Sequence, residues 1–189
     1  MQSKYKIYSY GNLFKSVKNG IASRNYSRVG TRYLKVSDIK TNFISDSKTF
    51  YVSTCKDSDF IKPETLLITR KGTVGNSYFL KEDRRIVASS EIFIITIDSK
   101  LVDGDYLSEV NLSQFVKNQY IKKSTGTIMP SLSQERLKSI KIPLPALSKQ
   151  KEIVKKITSM KKEIKNLKIS AEKNRKAAIS DFEAQIFTN

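Results

Sequence analysis

The chain has 189 residues, of which 39% are hydrophobic and 28% charged, a composition typical of a folded protein with a real core. Its net charge of +17 favours a polyanionic partner, nucleic acid before membrane, although a general lysine bias of the proteome is an alternative explanation. A single cysteine and no histidine exclude an internal disulfide, a cysteine-based zinc site and the commonest general base. There is no apolar signal segment and no run long enough for a membrane span, which predicts a soluble cytoplasmic protein.

The first part of the sequence predicts short, mixed elements. Residues 11–20 indicate a short helical turn that ends at Gly20. Residues 20–32 are polar and basic and predict a loop, after which the alternation from Tyr33 to Val36 predicts a strand. Ser37 and Asp38 then offer a turn or a helix cap.

The middle of the sequence predicts a sheet followed by a helix. Residues 66–68 and 78–80 predict two short strands, with a glycine-punctuated hairpin or loop over 70–76 between them. Residues 84–97 are β-branched and apolar enough to predict the central strand. Residues 104–123 fit one amphipathic helix.

A proline joint separates the globular part of the sequence from its C-terminal segment. A short helix is predicted around Gln134–Lys138, and residues 140–144 then alternate as a strand. Pro143 and Pro145 stiffen the chain before its character changes to a lysine-rich helical pattern. Both sides of the joint are basic, with net charges of +11 for residues 1–147 and +6 for residues 148–189.

The pattern from Ser148 onward predicts one long helix with a heptad seam, since apolar or small residues recur at steps of three and four. About 38 residues at 1.5 Å each make a rod of roughly 57 Å, too long to bury its seam on the domain it leaves. A partner helix is therefore expected, and a helix folded back along its own domain is the alternative. The predicted dimer-helix positions are Ile157, Met160, Ile164, Leu167, Ala171, Asn174 and Ala178.

The sequence around the joint resembles the junction in specificity subunits of type I restriction–modification systems, where a target recognition domain meets a conserved helix. The family's Ile-Pro-Leu-Pro run is Ile142–Pro145 here, followed by Leu147 and by Gln150, which opens the helix. The preceding position is commonly Glu in the family and is Lys149 in this chain. Three upstream segments match the domain's landmarks in the same order, so the resemblance covers nearly the whole chain: residues 33–39, 67–75 and 124–145.

The resemblance implies an α+β fold with a mixed α/β target recognition domain over residues 1–147. A long C-terminal coiled-coil helix over residues 148–189 would serve dimerisation and spacing. Full-length subunits of the family carry two recognition domains and two antiparallel helices, so this chain resembles a half-subunit or a fragment of a longer product. Its implied function is to recognise half of a bipartite target in double-stranded DNA. It would direct adenine methyltransferase (modification) subunits, and where present a restriction/translocase subunit, to that target as a homodimer.

Three polar, basic stretches are the candidate DNA contacts. A DNA reader needs positive charge against phosphates and polar side chains that reach base edges. Glycines at 72 and 75 would let the backbone approach a phosphate closely, although a plain hairpin is the alternative role. Lys122 and Lys123 favour a phosphate clamp, with a helix cap as the alternative role. The predicted DNA-binding residues are Arg24, Asn25, Arg28, Arg32, Arg70, Lys71, Lys122 and Lys123.

The sequence contains no convincing catalytic constellation. Its serines have no histidine to activate them, and residues 72–75 do not form a phosphate-cradling P-loop. By resemblance, methylation and translocation lie in separate subunits, which predicts a non-catalytic chain with neither cofactor nor metal. Two alternatives stay open: a coiled-coil-dimerised DNA-binding regulator that acts alone, and an RNA-binding module, for which a recognisable stacking motif is missing.

Overall fold

The computed structural model describes residues 3–23, 25–41 and 43–187. The chain divides into two compact units, residues 1–150 and residues 151–189. The first unit is a mixed α+β body, and the second lies within one long helix and its C-terminal end. This is the mixed fold class that the sequence predicts.

The part of the chain that the structure describes contains short strands and four α-helices. The strands are β1 (Ile7–Ser9), β2 (Phe14–Asn19), β3 (Tyr26–Ser27), β4 (Thr31–Leu34), β5 (Ile39–Lys40), β6 (Phe43–Ile44), β7 (Tyr51–Val52), β8 (Thr65–Thr69), β9 (Ser77–Leu80), β10 (Ile86–Ala88), β11 (Ile92–Ile97) and β12 (Lys141–Pro143). The helices are α1 (Gly104–Val110), α2 (Gln114–Lys123), α3 (Gln134–Lys138) and α4 (Leu147–Ile186). Single 3-10 turns span Tyr10–Asn12, Val36–Asp38 and Asp57–Asp59.

One antiparallel sheet has the strand order β2-β11-β8-β9. All five residues of β8 are buried, which fits its continuous run of threonine, leucine and isoleucine at the centre of the sheet. The strands predicted over 66–68 and 78–80 are confirmed by β8 and β9. The helical turn predicted over 11–20 is wrong for most of that segment, because Phe14–Asn19 pairs with β11 and tertiary pairing overrides local propensity.

A second sheet has the order β10-β4-β7-β3, in which β10 and β4 are parallel and the other pairs antiparallel. The single central strand predicted over 84–97 is wrong: β10 and β11 belong to different sheets, and the polar turn Ser89–Glu91 separates them. One core cluster joins the two sheets through residues such as Leu34 and Leu67. Tyr33 faces the other side of the second sheet, as expected for alternating side chains.

The helix predicted over 104–123 is two helices, α1 and α2. The first ends at Val110, and Ser113 caps the second, since its hydroxyl accepts a hydrogen bond from the Val116 N–H. The Asn111 side chain at the break is buried and accepts hydrogen bonds from the Tyr10 and Tyr120 hydroxyls. The short helix around Gln134–Lys138 is confirmed as α3, with Ser133 as its cap.

The proline joint is fixed by hydrogen bonds within the first unit. β12 pairs with β1, and the Tyr106 hydroxyl donates to the Pro143 carbonyl at 2.7 Å. The side chain of Gln150, in the first turn of α4, is fully buried, and its partners among the described residues are main-chain groups. It accepts from the Asp103 N–H at 2.8 Å and donates to the Pro145 and Leu101 carbonyls at 2.8 and 3.1 Å. The first turn of α4 is therefore part of the folded body.

Candidate nucleic-acid interface

The polar loop predicted to read DNA is exposed beyond its short strand β3. Asn25 and Arg28 are exposed, while Arg24 lies outside the described residues. Gly30 holds the base of the loop at a φ of +130°, and a Cβ there would meet the Val52 carbonyl oxygen at 2.5 Å. Only glycine fits this close approach, so the loop leaves β3 and enters β4 along a fixed path.

Lys35, which the sequence analysis did not single out, lies beside this loop. Its ammonium is 4.0 Å from the centroid of the Tyr26 ring and 3.5 Å from that of Phe50. The Tyr26 ring also packs against Tyr33, with 5.8 Å between centroids. These cation–π contacts hold a positive charge at the rim of a cleft of about 340 Å³ that Ser23 also lines. Residues 31–35 contain a single aromatic, Tyr33, so the local sequence gives no signal of these ring contacts.

Arg32 has internal partners. Its guanidinium forms an ion pair with the buried Asp38 at 3.1 Å and donates to the carbonyls of Tyr33 and Ser45 at 3.0 and 3.3 Å. Only 13% of the side chain is exposed. These bonds favour a role in shaping the loop above β4, and direct contact between Arg32 and DNA stays a prediction.

Arg70 also bonds within the fold, whereas Lys71 is left at its surface. The Arg70 guanidinium donates to the carbonyls of Leu132 and Ser90 and lies over the Phe93 ring. It therefore ties the loop after β8 to two other segments. Lys71 forms an isolated β-bridge with Ser131, and its side chain is half-buried.

The predicted stretches 70–71 and 122–123 lead into two loops that bond to each other, and together they form a second cluster. Lys122 is exposed and Lys123 half-buried in the last turn of α2. Beyond them the Gly72 N–H donates to the Pro130 carbonyl at 2.9 Å, which joins the loop after β8 to the loop after α2. A cleft of about 500 Å³ lies between these loops, and Lys117, which the sequence analysis missed, is part of its lining.

The two clusters meet at the turn Ser89–Glu91. From one side, the Ser90 N–H donates to the Ile21 carbonyl, at the start of the polar loop. From the other side, the Arg70 N–H donates to the Glu91 carbonyl, and the Leu132 N–H donates to the Arg70 carbonyl. The fold thus connects the 20–32 loop to the 70–71 and 122–132 segments through a single turn.

Two buried tyrosines, Tyr10 and Tyr120, act as hydrogen-bond donors to Asn111, which lines the cleft of about 500 Å³. Burial, reinforced by the neighbouring Tyr120, raises the pKa of Tyr10 well above its ordinary value, and burial likewise raises the pKa of Tyr120. Both hydroxyls stay protonated at neutral pH and bond to Asn111. Among the described residues no group of His, Cys, Asp and Glu is arranged to hold a metal ion.

The described part of α4 is exposed along the predicted seam. Met160 is 53% exposed, Ile164 51% and Leu167 62%. Ala171, Asn174 and Ala178 are exposed as well, and Ile157 is half-buried. No helix among the described residues is both long and apolar enough to cross a membrane.

Solved structures share this fold. A chain from a type I restriction–modification system, solved in work on its complex assembly and conformational transition, is 14% identical with a TM-score of 0.69, covering 97% of this chain and 44% of that one. The HsdS subunit from Thermoanaerobacter tengcongensis is 17% identical with a TM-score of 0.67 over 100% of this chain and 51% of that one. The S subunit of the type I restriction–modification system from M. genitalium is 15% identical with a TM-score of 0.62, covering 93% of this chain and 44% of that one. The chain thus has the fold of type I specificity subunits and spans about half the length of these relatives.

Family membership is shown by the sequence itself. A sequence model of the type I restriction modification DNA specificity domain matches residues 2–174, and the chain belongs to that family. The comparison with curated proteins gave no match. The matched range includes the proline joint and much of α4, so the resemblance that the sequence analysis based on the joint is confirmed.

Proposed function

We propose that this chain is the DNA-recognition component of a type I restriction–modification complex. The observation that carries the proposal is the family match over residues 2–174, which covers the folded body, the joint and much of α4 together. Residues 1–147 act as the target recognition domain, and residues 148–189 act as the dimerisation and spacing helix. The chain itself is non-catalytic and directs adenine methyltransferase subunits, and where present a restriction subunit, to the target.

The proposed contacts are chosen by exposure and bonding. Arg28 and Lys122 are exposed and suited to phosphates, and Asn25 is exposed and suited to a base edge. Lys71 and Lys123 complete the second cluster, and Arg24 stays a proposed contact from its position in the sequence. Arg32 and Arg70 position these loops through their internal bonds.

Two copies of the chain are proposed to pair through α4. The exposed seam of Met160, Ile164 and Leu167 is an apolar row in heptad spacing, and Asn174 is the polar residue that sets register in such a seam. Antiparallel pairing places two identical recognition domains about a two-fold axis. Each would read the same half-site on opposite strands, so the target would be an interrupted palindrome.

Mapping methylated adenines in cells tests this function. Cells that hold the chain and its methyltransferase subunits should methylate a bipartite motif that disappears when the gene for this chain is deleted. Inserting one heptad into residues 157–178 should lengthen the unread spacer by about three base pairs, since seven residues add roughly 10 Å of helix and each base pair spans about 3.4 Å. An unchanged methylation pattern after deletion would favour a regulator that acts alone. An asymmetric motif would contradict pairing between identical domains.

A further inference from the structure

The loop Thr125–Ser131 presents two large apolar side chains to water. Ile128 is 97% exposed and Met129 is 55% exposed, and Ile121, in the preceding helix α2, is 73% exposed. Single apolar residues on a surface are ordinary, but two adjacent exposed apolar side chains at a loop tip form a candidate contact surface. Neither the sequence analysis nor the proposed contacts give these side chains a role.

The loop is held rigidly in this conformation. Thr125 and Ser131 exchange backbone hydrogen bonds of 2.9 and 2.8 Å, which close its base. Gly126 has a φ of +90°, and a Cβ there would meet the Met129 carbonyl oxygen at 2.8 Å. The Gly72 N–H bonds the Pro130 carbonyl from the neighbouring loop. A partner that covers Ile128 therefore has little loop entropy to overcome.

The charge around the loop identifies that partner as a polyanion. The segment 111–138 contains five basic residues and one acidic residue, Glu135. Lys122 and Lys123 immediately precede the loop, and Lys71 is bridged to Ser131 at its base. An apolar tip on an uncharged support would suit a protein surface, whereas an apolar tip on a loop flanked by lysines suits a DNA groove lined by phosphates.

We propose that Ile128, with Met129 beside it, is a wedge that enters a groove of the bound duplex and packs against a base-pair step. The lysines neutralise the flanking phosphates, and the apolar side chains partly unstack the step, as isoleucine and methionine wedges do in other proteins that bend DNA. This inference rests on the proposed function and adds to it the element that contacts the stacked bases.

The test uses the assembled complex and short duplexes that carry the motif mapped in cells, with 2-aminopurine placed at successive positions. Wild-type complex should raise 2-aminopurine fluorescence at one step. Ile128→Ala should abolish that signal and weaken binding roughly tenfold. Ile128→Leu, which keeps the apolar volume, should retain both. Leu101→Ala is the matched control, because Leu101 is an exposed apolar residue (46%) in a different loop.

Salt dependence separates the wedge from the charges around it. Replacing Lys71, Lys122 and Lys123 by alanine should make the negative slope of log binding constant against log salt concentration shallower by about three. Ile128→Ala should leave this slope unchanged. Wild-type affinity and an unaltered fluorescence signal in Ile128→Ala would overturn the wedge and leave the proposed function intact. Loss of methyltransferase subunits from Ile128→Ala, with DNA affinity unchanged, would make the loop a protein contact and also overturn it. A wild-type complex that fails to bind DNA at all would overturn both proposals.

Discussion

Replacing Gln150 by alanine should loosen the joint from which α4 begins. Its amide makes three hydrogen bonds, of 2.8, 2.8 and 3.1 Å, to the main chain of Asp103, Pro145 and Leu101, and the side chain is fully buried. Truncation removes all three bonds and leaves a donor and two acceptors facing an enlarged space. Each unsatisfied buried polar group costs about 1–3 kcal/mol, and water that enters the space offsets part of the total cost of the three groups.

We therefore expect Gln150→Ala to lower the free energy of unfolding by about 3 kcal/mol. For a chain of this size such a loss lowers Tm by roughly 6–12 °C. Gln150→Glu keeps the acceptor but turns a carboxylate toward two carbonyl oxygens, which raises the pKa of that carboxyl in the folded state. The stability that the protonated carboxyl contributes is fully present below the usual glutamate pKa and is lost as the pH rises through the raised value. The free energy of unfolding of this variant should therefore be closer to that of the wild type in acid than at neutral pH.

The chain offers a convenient assay, because its nine tyrosines all precede residue 121. Near-ultraviolet circular dichroism from these tyrosines reports on the folded body, and the far-ultraviolet helical signal is dominated by α4. The control is Gln134→Ala, which removes a single surface hydrogen bond of 3.2 Å to Asn19 and should cost less than about 0.5 kcal/mol. Equal near-ultraviolet melting of Gln150→Ala and Gln134→Ala would refute the idea that the Gln150 bonds hold the joint.

Three further changes test other parts of the structure. Arg32→Ala should destabilise the chain by about 3–5 kcal/mol in urea titrations, because it leaves the Asp38 carboxylate buried without its partner, whereas Arg28→Ala should leave the urea midpoint unchanged; equal midpoints would contradict a structural role for Arg32. Burial raises the pKa of Tyr106 from 10.0 to about 12, so the stability that this neutral hydroxyl contributes is complete below pH 10.0 and is lost as the pH rises through about 12. The free energy of unfolding of Tyr106→Phe should therefore be about 1 kcal/mol below that of the wild type at neutral pH, and this difference should shrink in alkali. A difference that grows in alkali would contradict the raised pKa of Tyr106. Replacing Ile164 and Leu167 by lysine should convert a dimer of about 43 kDa, twice the chain mass, into monomers in light scattering with unchanged near-ultraviolet dichroism; a monomeric wild type would refute the pairing.

The sequence was most informative where a local pattern and the tertiary environment agree. The buried run at β8 and the glycine- and proline-free stretch of α4 are long or apolar enough to determine their own structure. The helical turn predicted over 11–20 was wrong because the pairing partner of this segment, β11, lies more than seventy residues away in the chain. No local signal in the sequence reports such a contact. The single strand predicted over 84–97 was wrong because a polar turn divides this apolar segment into two strands that belong to different sheets.

The surroundings of the predicted interface residues could not be read from the sequence. Basic side chains in the sequence indicate a polyanionic partner, but only the structure distinguishes those that have internal partners from those that face solvent. Arg32 and Arg28 look alike in the sequence, yet the first bonds to Asp38 and the second is exposed. Lys35 was missed because its rings come from Tyr26 and Phe50, which are brought to it by the pairing of β3 with β7 and β7 with β4.

The hydrogen bonds of Gln150 have a consequence for how such a protein can diversify. The partners of that amide among the described residues are main-chain groups, which almost any amino acid at those positions would supply. Substitutions in the exposed loops therefore leave the chemistry of the joint unchanged. Two of the three partners, Leu101 and Asp103, precede α1, so a different body joined to this helix would keep the joint only if it presented main-chain groups at the same places.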